Sequence, residues 1–182
     1  HTIMVLVDPA TARFVDVNLH LMLDLPVDFQ EQWRPLTQVT GDYAHFVEKY
    51  NDPTEENVIR FLTFDADYAN SIVSCVAAAR ENARTVREII SSEMWEQVNR
   101  FHLFLRSAQA EGVSPDGLHA FYERVKEASH LFWGIADGTM SHDIGWHFVR
   151  LGRLMERADK TSRILDVKYF ILLPKIADVG SP

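Results

Sequence analysis

One cysteine in 182 residues, Cys75, excludes an intramolecular disulfide and any cysteine-based metal site. No run of lysines and arginines occurs. With 18 basic against 26 acidic side chains the formal charge is −8, which argues against nucleic acid or an anionic membrane surface as the main partner. No apolar stretch approaches the roughly 20 residues needed to span a bilayer. A glycine-rich phosphate loop, a G-x-S-x-G elbow and an H-E-x-x-H helix are all missing. Period-two alternation is confined to Ile3–Val7, a β-prone run with no partner strand. The lone cysteine fits a reducing cytoplasm. The opening HTIMVLVDP has no basic leader or small-residue cleavage site and reads poorly as a secretory signal.

What is present is a 3.6-residue rhythm. Hydrophobic residues make up 47% and charged residues 24%, as in ordinary globular domains, and the length suits one domain with a substantial core. From Ile72 the small or apolar positions Val76, Ala79, Ala83, Val86, Ile90, Phe101, Phe104 and Ala108 recur at helical spacing, with Gln97 the single polar intruder. Ser71 or Asn70 caps the start of a helix over 72–90, and Ser91-Ser92 caps the next one. Ser114-Pro115 opens a helix running to about Trp133. Thr54 does the same for 55–64 after the turn Asn51-Asp52-Pro53. Residues 11–25 form another helix, ended by Pro26. A last helix carries the seam Ile144, Phe148, Leu151, Met155, Ala158, Leu165, Tyr169 and Leu172, ended by Pro174. The expected fold is all-α: a single-domain, multi-helix bundle of long antiparallel helices.

Two charged strips run beside these seams. On the last helix Arg153, Glu156, Arg157, Asp159, Arg163 and Asp166 sit at spacings that bring several within reach of one another. The helix from Ile72 carries Arg80, Glu81, Asn82, Arg84, Arg87 and Glu88, with Arg80 and Arg87 bordering its seam. Taken singly these are exposed ion pairs, each contributing about a few tenths of a kcal/mol. Taken together, strips at the edge of a core can form a half-buried network, a setting for which the planar fork of arginine is suited.

Other chemistry is thin. Glu127 and His130 make one Glu-x-x-His pair, with Glu123 a turn earlier, but a dimetal bundle needs a second. Asp143 and His147 are the nearest substitute, and no metal or other cofactor is expected. His130 is read as a packed histidine beside Phe132 and Trp133, and Cys75 as a small core residue. Trp33, Trp95, Trp133 and Trp146 are expected to anchor the core or its rim, unless they cluster at a partner surface.

The chain also echoes itself. Residues 11–23, TARFVDVNLHLML, align with residues 161–173, TSRILDVKYFILL. The match ends upstream, where Gly152, Glu156 and Arg157 face Thr2, Leu6 and Val7. The segment GRLMERADKTSRILDVKY at 152–169 resembles the Glu-Arg motif helix of the bacterial alpha-E domain family. Supporting segments are Trp33–Leu36, Thr40–Asp42, Phe61–Asp65, Ser71–Asn99 and Phe132–Met140, in order along almost the whole chain. Members of that family usually open with a second Glu-Arg helix before Thr-Ala-Arg. Here residues 1–10 replace it and read as a tag remnant, a truncation or an altered start. Residues 11–174 then form the helical domain, and 175–182 a tail.

The resemblance implies a setting and no catalytic residues. Alpha-E proteins are typically encoded beside, or fused to, circularly permuted ATP-grasp ligases, and often beside transglutaminase-like proteins. This implies a part in an ATP-dependent amide- or peptide-forming or modifying system. The expected function is a binding or scaffolding module for such a partner, holding also an acidic or peptide-like ligand. The alternative is an enzyme in the same chemistry, with Glu156 or Glu81 as acid/base and arginines clamping a carboxylate. Without a nucleotide loop, an activated nucleophile or a metal set, the sequence favours the module. The enzyme would need a concave pocket where Arg80, Arg84, Glu156 and Arg163 converge.

Overall fold

The computed structural model describes Val15, residues 33–39 and residues 41–172, with backbone alone at 39, 160, 164 and 167–172. The expected strand at Ile3–Val7, most of the 11–25 helix and the stop at Pro174 lie outside the described residues. Val15 is helical and fully buried.

Every regular element among the described residues is helical. In order they are α1 (Arg34–Val39), α2 (Tyr43–Tyr50), α3 (Glu55–Ile59), α4 (Ile72–Thr85), α5 (Ser92–Glu111), α6 (Leu118–Thr139) and α7 (Ile144–Leu172). The wider π-turn Arg60–Phe64 continues α3, and the 3-10 turn Pro115–Gly117 precedes α6. Helices α4, α5 and α6 pack in succession, the π-turn lies against α4, and α1 bridges α2 and α7.

The helix starts follow the side-chain chemistry closely. Thr54, Ser71 and Ser91 each accept a hydrogen bond from the backbone N–H three residues on, at Asn57, Ser74 and Met94. Ser114 differs: its side chain makes no cap bond, and Pro115 leads into a 3-10 turn before α6 begins. Helix α6 then runs past Trp133 to Thr139. Helix α4 ends at Thr85, short of the expected 90, because Ser91 claims a new start. The β-branched Val86, Ile89 and Ile90 between them favour leaving the helix. Arg87 and Glu88 therefore sit in the connecting turn.

In α4 and α5 the core is built where the periodicity placed it. Ile72, Val76, Ala79 and Ala83 of α4 are buried against α5, which contributes Met94, Gln97, Val98, Phe101 and Leu105. The alanines let the two backbones approach. Gln97, the polar intruder, donates through Nε2 to the Ala128 carbonyl at 3.0 Å. Phe61 of the π-turn is fully buried and stacks on Tyr68 with centroids 4.0 Å apart. The next π-turn side chains include Thr63, whose hydroxyl pairs with Tyr122 Oη at 2.7 Å, both buried. Tyr122→Phe leaves that hydroxyl without its partner, and a loss of about 1–2 kcal/mol is expected in urea unfolding.

Two residues depart from expectation. His130 is exposed, since buried Ser129 and the pair Phe132 and Trp133 define the inward face of α6 and His130 falls between them on the outer side. Cys75 is half-buried, with its thiol 3.6 Å from the Ala69 carbonyl.

Candidate functional site

Helix α7 is oriented opposite to its hydrophobic pattern. The expected seam is exposed along its described length: Ile144 is 75% accessible, Met155 65% and Leu165 63%, with Phe148 and Leu151 also exposed. The inward strip instead holds Trp146, Val149, Gly152, Arg153, Glu156 and Arg163, buried or half-buried. At 3.6 residues per turn these two sets fall on different sides of the cylinder. Arg153, Glu156 and Arg163 of the motif, not the apolar stripe, therefore face the body of the molecule. The reason lies in its counterparts, which are aromatic and acidic.

Two of these counterparts are local. Arg153 lies over the Trp133 ring of α6 with its guanidinium carbon 4.2 Å from the centroid, and reaches Asp137 at 4.0 Å. Arg163 bonds Asp159 through Nε at 2.9 Å. That bond outweighs partial burial and raises the pKa of Arg163, with Tyr68 and Asp42 adding in the same direction. Asp42, just before α2, accepts from Tyr68 Oη at 2.8 Å and from Asn70 Nδ2 at 3.4 Å. The foot of α2 thus supplies negative charge near the inner strip of α7. Arg157, Asp159 and Asp166 are exposed.

The α4 strip is engaged elsewhere. Arg80 donates through Nε to Asn99 Oδ1 at 2.6 Å and meets Glu81 at 3.4 Å. Arg84 pairs with Glu81 at 3.0 Å. Arg80 and Arg87 both approach the Trp95 ring, at 5.7 and 5.1 Å. Asn82 offers its carbonyl to Thr85 Oγ1 at 2.7 Å. All of these contacts stay within α4, the following turn and α5. Helices α4 and α7 are not among the closely packed pairs, so the structure does not gather Arg80, Arg84, Glu156 and Arg163 into one pocket.

His102 on α5 senses that cluster. Burial first, then the positive charges of Arg80 and Arg106, push its pKa down, with Glu81 opposing. A depressed folded value means the contribution of neutral His102 is complete above the ordinary histidine value of about 6.5 and is lost as pH falls through the folded value. The melting temperature should accordingly fall on acidification below about pH 6.5, and His102→Gln should flatten that slope in scanning calorimetry.

A second polar centre lies at the π-turn. Asp65, whose side chain is 2% accessible, accepts from Lys49 Nζ at 2.8 Å, Tyr50 Oη at 3.0 Å and the Asp67 N–H at 3.0 Å. Lys49 also reaches Asp67 at 2.7 Å. Burial works against ionisation of Asp65, but these three donors outweigh it and hold the carboxyl below the usual range. The same contacts raise Lys49. Burial, then the bond to Asp65, raises Tyr50.

A cleft of about 300 Å³ lies between the last turns of α6 and the first half of α7. Trp133, Asp137, Trp146, Arg150, Arg153 and Arg157 line it. Arg150 lies 5.1 Å from the Trp146 centroid. The Trp133 Nε1–H is buried and has no acceptor among the described residues. Sequence reasoning singled out Arg153, Arg157 and both tryptophans separately but did not join them. The signal was the short connection between Thr139 and Ile144, which folds α7 back along α6. It also passed over Lys49, Tyr50, Asp65 and Tyr68, although Asp42 and Asp65 stand in segments that carried the resemblance.

No cluster of three or more metal-ligating side chains occurs among the described residues, and no described helix is long and apolar enough to cross a membrane. The Alpha-E family model, described as a predicted alpha-helical domain with a conserved ER motif, matches residues 9–181. No curated protein and no solved structure matches the chain.

Proposed function

The chain belongs to the Alpha-E family, and we propose that it acts there as a helical docking module, binding a protein partner through the outward face of α7. The partner is a ligase of the circularly permuted ATP-grasp type or a transglutaminase-like protein, in an ATP-dependent amide- or peptide-forming or modifying system. The observation that carries the reading is the stripe Ile144, Leu151 and Met155, large apolar side chains left exposed on one side of a 29-residue helix. Folded proteins rarely expose contiguous apolar surface without a use for it. An amphipathic helix presenting anchors at such spacing suits a hydrophobic groove or a facing helix.

The acid/base alternative needs its groups together. Arg80 is engaged by Asn99 and Trp95, far along the chain from Glu156, on a helix that does not pack closely on α7. That separation supports docking over catalysis. Affinity capture tests the proposal, with the ligase from the same genome as bait. Wild-type chain is expected to be retained and Leu151→Glu with Met155→Glu to be lost. Equal retention of both would overturn the stripe as the docking face. Self-association of the wild type that the same pair of substitutions abolishes would identify a second copy as the occupant instead.

A further inference from the structure

We infer that the α6–α7 cleft is a binding site for a small ligand carrying an oxyanion, a carboxylate or a phosphate, on an apolar or planar body. The inference is independent of the docking stripe. On a helix advancing roughly 100° per residue, Arg150, Arg153 and Arg157 lie about half a turn around α7 from Met155.

Three observations converge. The first is charge. Arg150, Arg153 and Arg157 line the cleft together, and the opposing carboxylate there is Asp137, 4.0 Å from Arg153 at the outer limit of an ion pair. Arg150 and Arg157 are exposed and have no carboxylate partner among the described residues. In a protein of formal charge −8, three arginines against one carboxylate on one concave surface form a local reversal of sign. A cleft with an excess of one sign of charge concentrates ligands of the other.

The second is shape and material. At about 300 Å³ the cleft falls at the lower end of small-molecule sites. Two indoles wall it: Trp133, 4% accessible, and Trp146, 9% accessible. Arginine over tryptophan is an arrangement that holds the guanidinium in place by cation–π attraction, leaving its N–H edge free to grip an oxyanion with two bonds. Arg153 over Trp133 and Arg150 beside Trp146 are both so placed.

The third is a polar group without a partner. Trp133 Nε1–H is buried and has no acceptor among the described residues, a state that disfavours the fold unless something relieves it. Arg153 lies over the same ring. An oxyanion gripped by this guanidinium brings one of its oxygens into the neighbourhood of the indole N–H. The ligand's apolar body then lies against Trp146.

Phenyl phosphate and N-benzoylglycine share a ring and differ in the anionic group, and benzyl alcohol supplies a neutral control. Titration calorimetry of the full chain should give saturable 1:1 binding of at least one of the two anions and none of the alcohol. The anion that binds identifies the source of the oxyanion. Affinity should fall about tenfold or more in Arg153→Gln and in Arg157→Gln, and less in Arg153→Lys, which keeps the charge but loses the fork. Arg84→Gln, on the α4 strip, should bind as wild type does. Arg157→Gln changes an exposed residue and Arg153→Gln a half-buried one, and both should retain the wild-type circular dichroism. Failure of both anions to bind, binding unaffected by Arg153 and Arg157, or equal binding of benzyl alcohol would each overturn the assignment.

Discussion

Replacing Asp65 by alanine is expected to lower the unfolding free energy by about 2–4 kcal/mol, a large effect for a single polar substitution. The carboxylate is 2% accessible and takes three hydrogen bonds, from Lys49, Tyr50 and the Asp67 backbone, on two segments 16 residues apart in sequence. Its loss disconnects the end of α2 from the residues that follow the π-turn and leaves Tyr50 Oη without that acceptor. Hydrogen bonds to a charged acceptor contribute about 1.5–3 kcal/mol each, discounted here because Lys49 regains water. The effect should depend on pH with a defined sign. A carboxyl held below its ordinary value stabilises the fold fully above about pH 3.9, the unfolded value, and that contribution fades as pH falls through the lower folded value. The deficit of Asp65→Ala should therefore be constant from neutral pH down to about 4 and shrink below it. Urea unfolding of both proteins between neutral and strongly acid pH checks this. A deficit that grew on acidification would contradict the assignment of Asp65 as the ionised centre of the network.

The second large effect concerns binding and leaves stability almost untouched. Leu151→Glu and Met155→Glu each place a charge on the exposed stripe, where surface substitutions change stability by about 0.5 kcal/mol or less. If α7 docks a partner by that stripe, each anchor is a buried apolar contact in the complex, and its replacement by a carboxylate should weaken binding by about 2 kcal/mol or more, roughly thirtyfold. Calorimetry or surface binding against the captured ligase measures the affinity, and thermal unfolding of the free chain measures the stability. The separation of the two readouts is the point. A core residue would lose both together.

The helices themselves were legible in the sequence because each rests on local chemistry. Thr54, Ser71 and Ser91 cap where a short hydroxyl side chain precedes a periodic run, and the stripe from Ile72 through Phe101 is buried as its spacing requires. Gln97 was legible as an intruder, and its bond to the Ala128 carbonyl explains how it is tolerated. Helix α7 shows where pattern reading stops. Its apolar stripe and its charged strip have equal claim to the interior on periodicity alone. What decides is the surface on the other side, in this case Trp133 and the Asp42–Tyr68 pair, which only tertiary structure brings near. The candidate site was half legible for the same reason. Arg153 and Arg157 stood out in the motif, whereas their pairing with Trp133 and Trp146 depends on how the chain folds back between α6 and α7. The α4 strip, equally conspicuous in the sequence, belongs to a separate cluster around Trp95.

Helix α7 turns Arg153, Glu156 and Arg163 inward and, on the proposed function, offers its apolar stripe to a partner. Thiol labelling reads both halves at once. In a Cys75→Ser background, single cysteines at Leu151, Met155 and Val149 are modified by a small thiol reagent, first in the free chain and then in the presence of the ATP-grasp-type ligase. Labelling should be fast at positions 151 and 155 and slow at 149 in the free chain, with the two fast positions protected by the ligase. Slow labelling at 151 and 155 in the free chain would contradict both halves, and fast labelling there that the ligase leaves unchanged would contradict the docking.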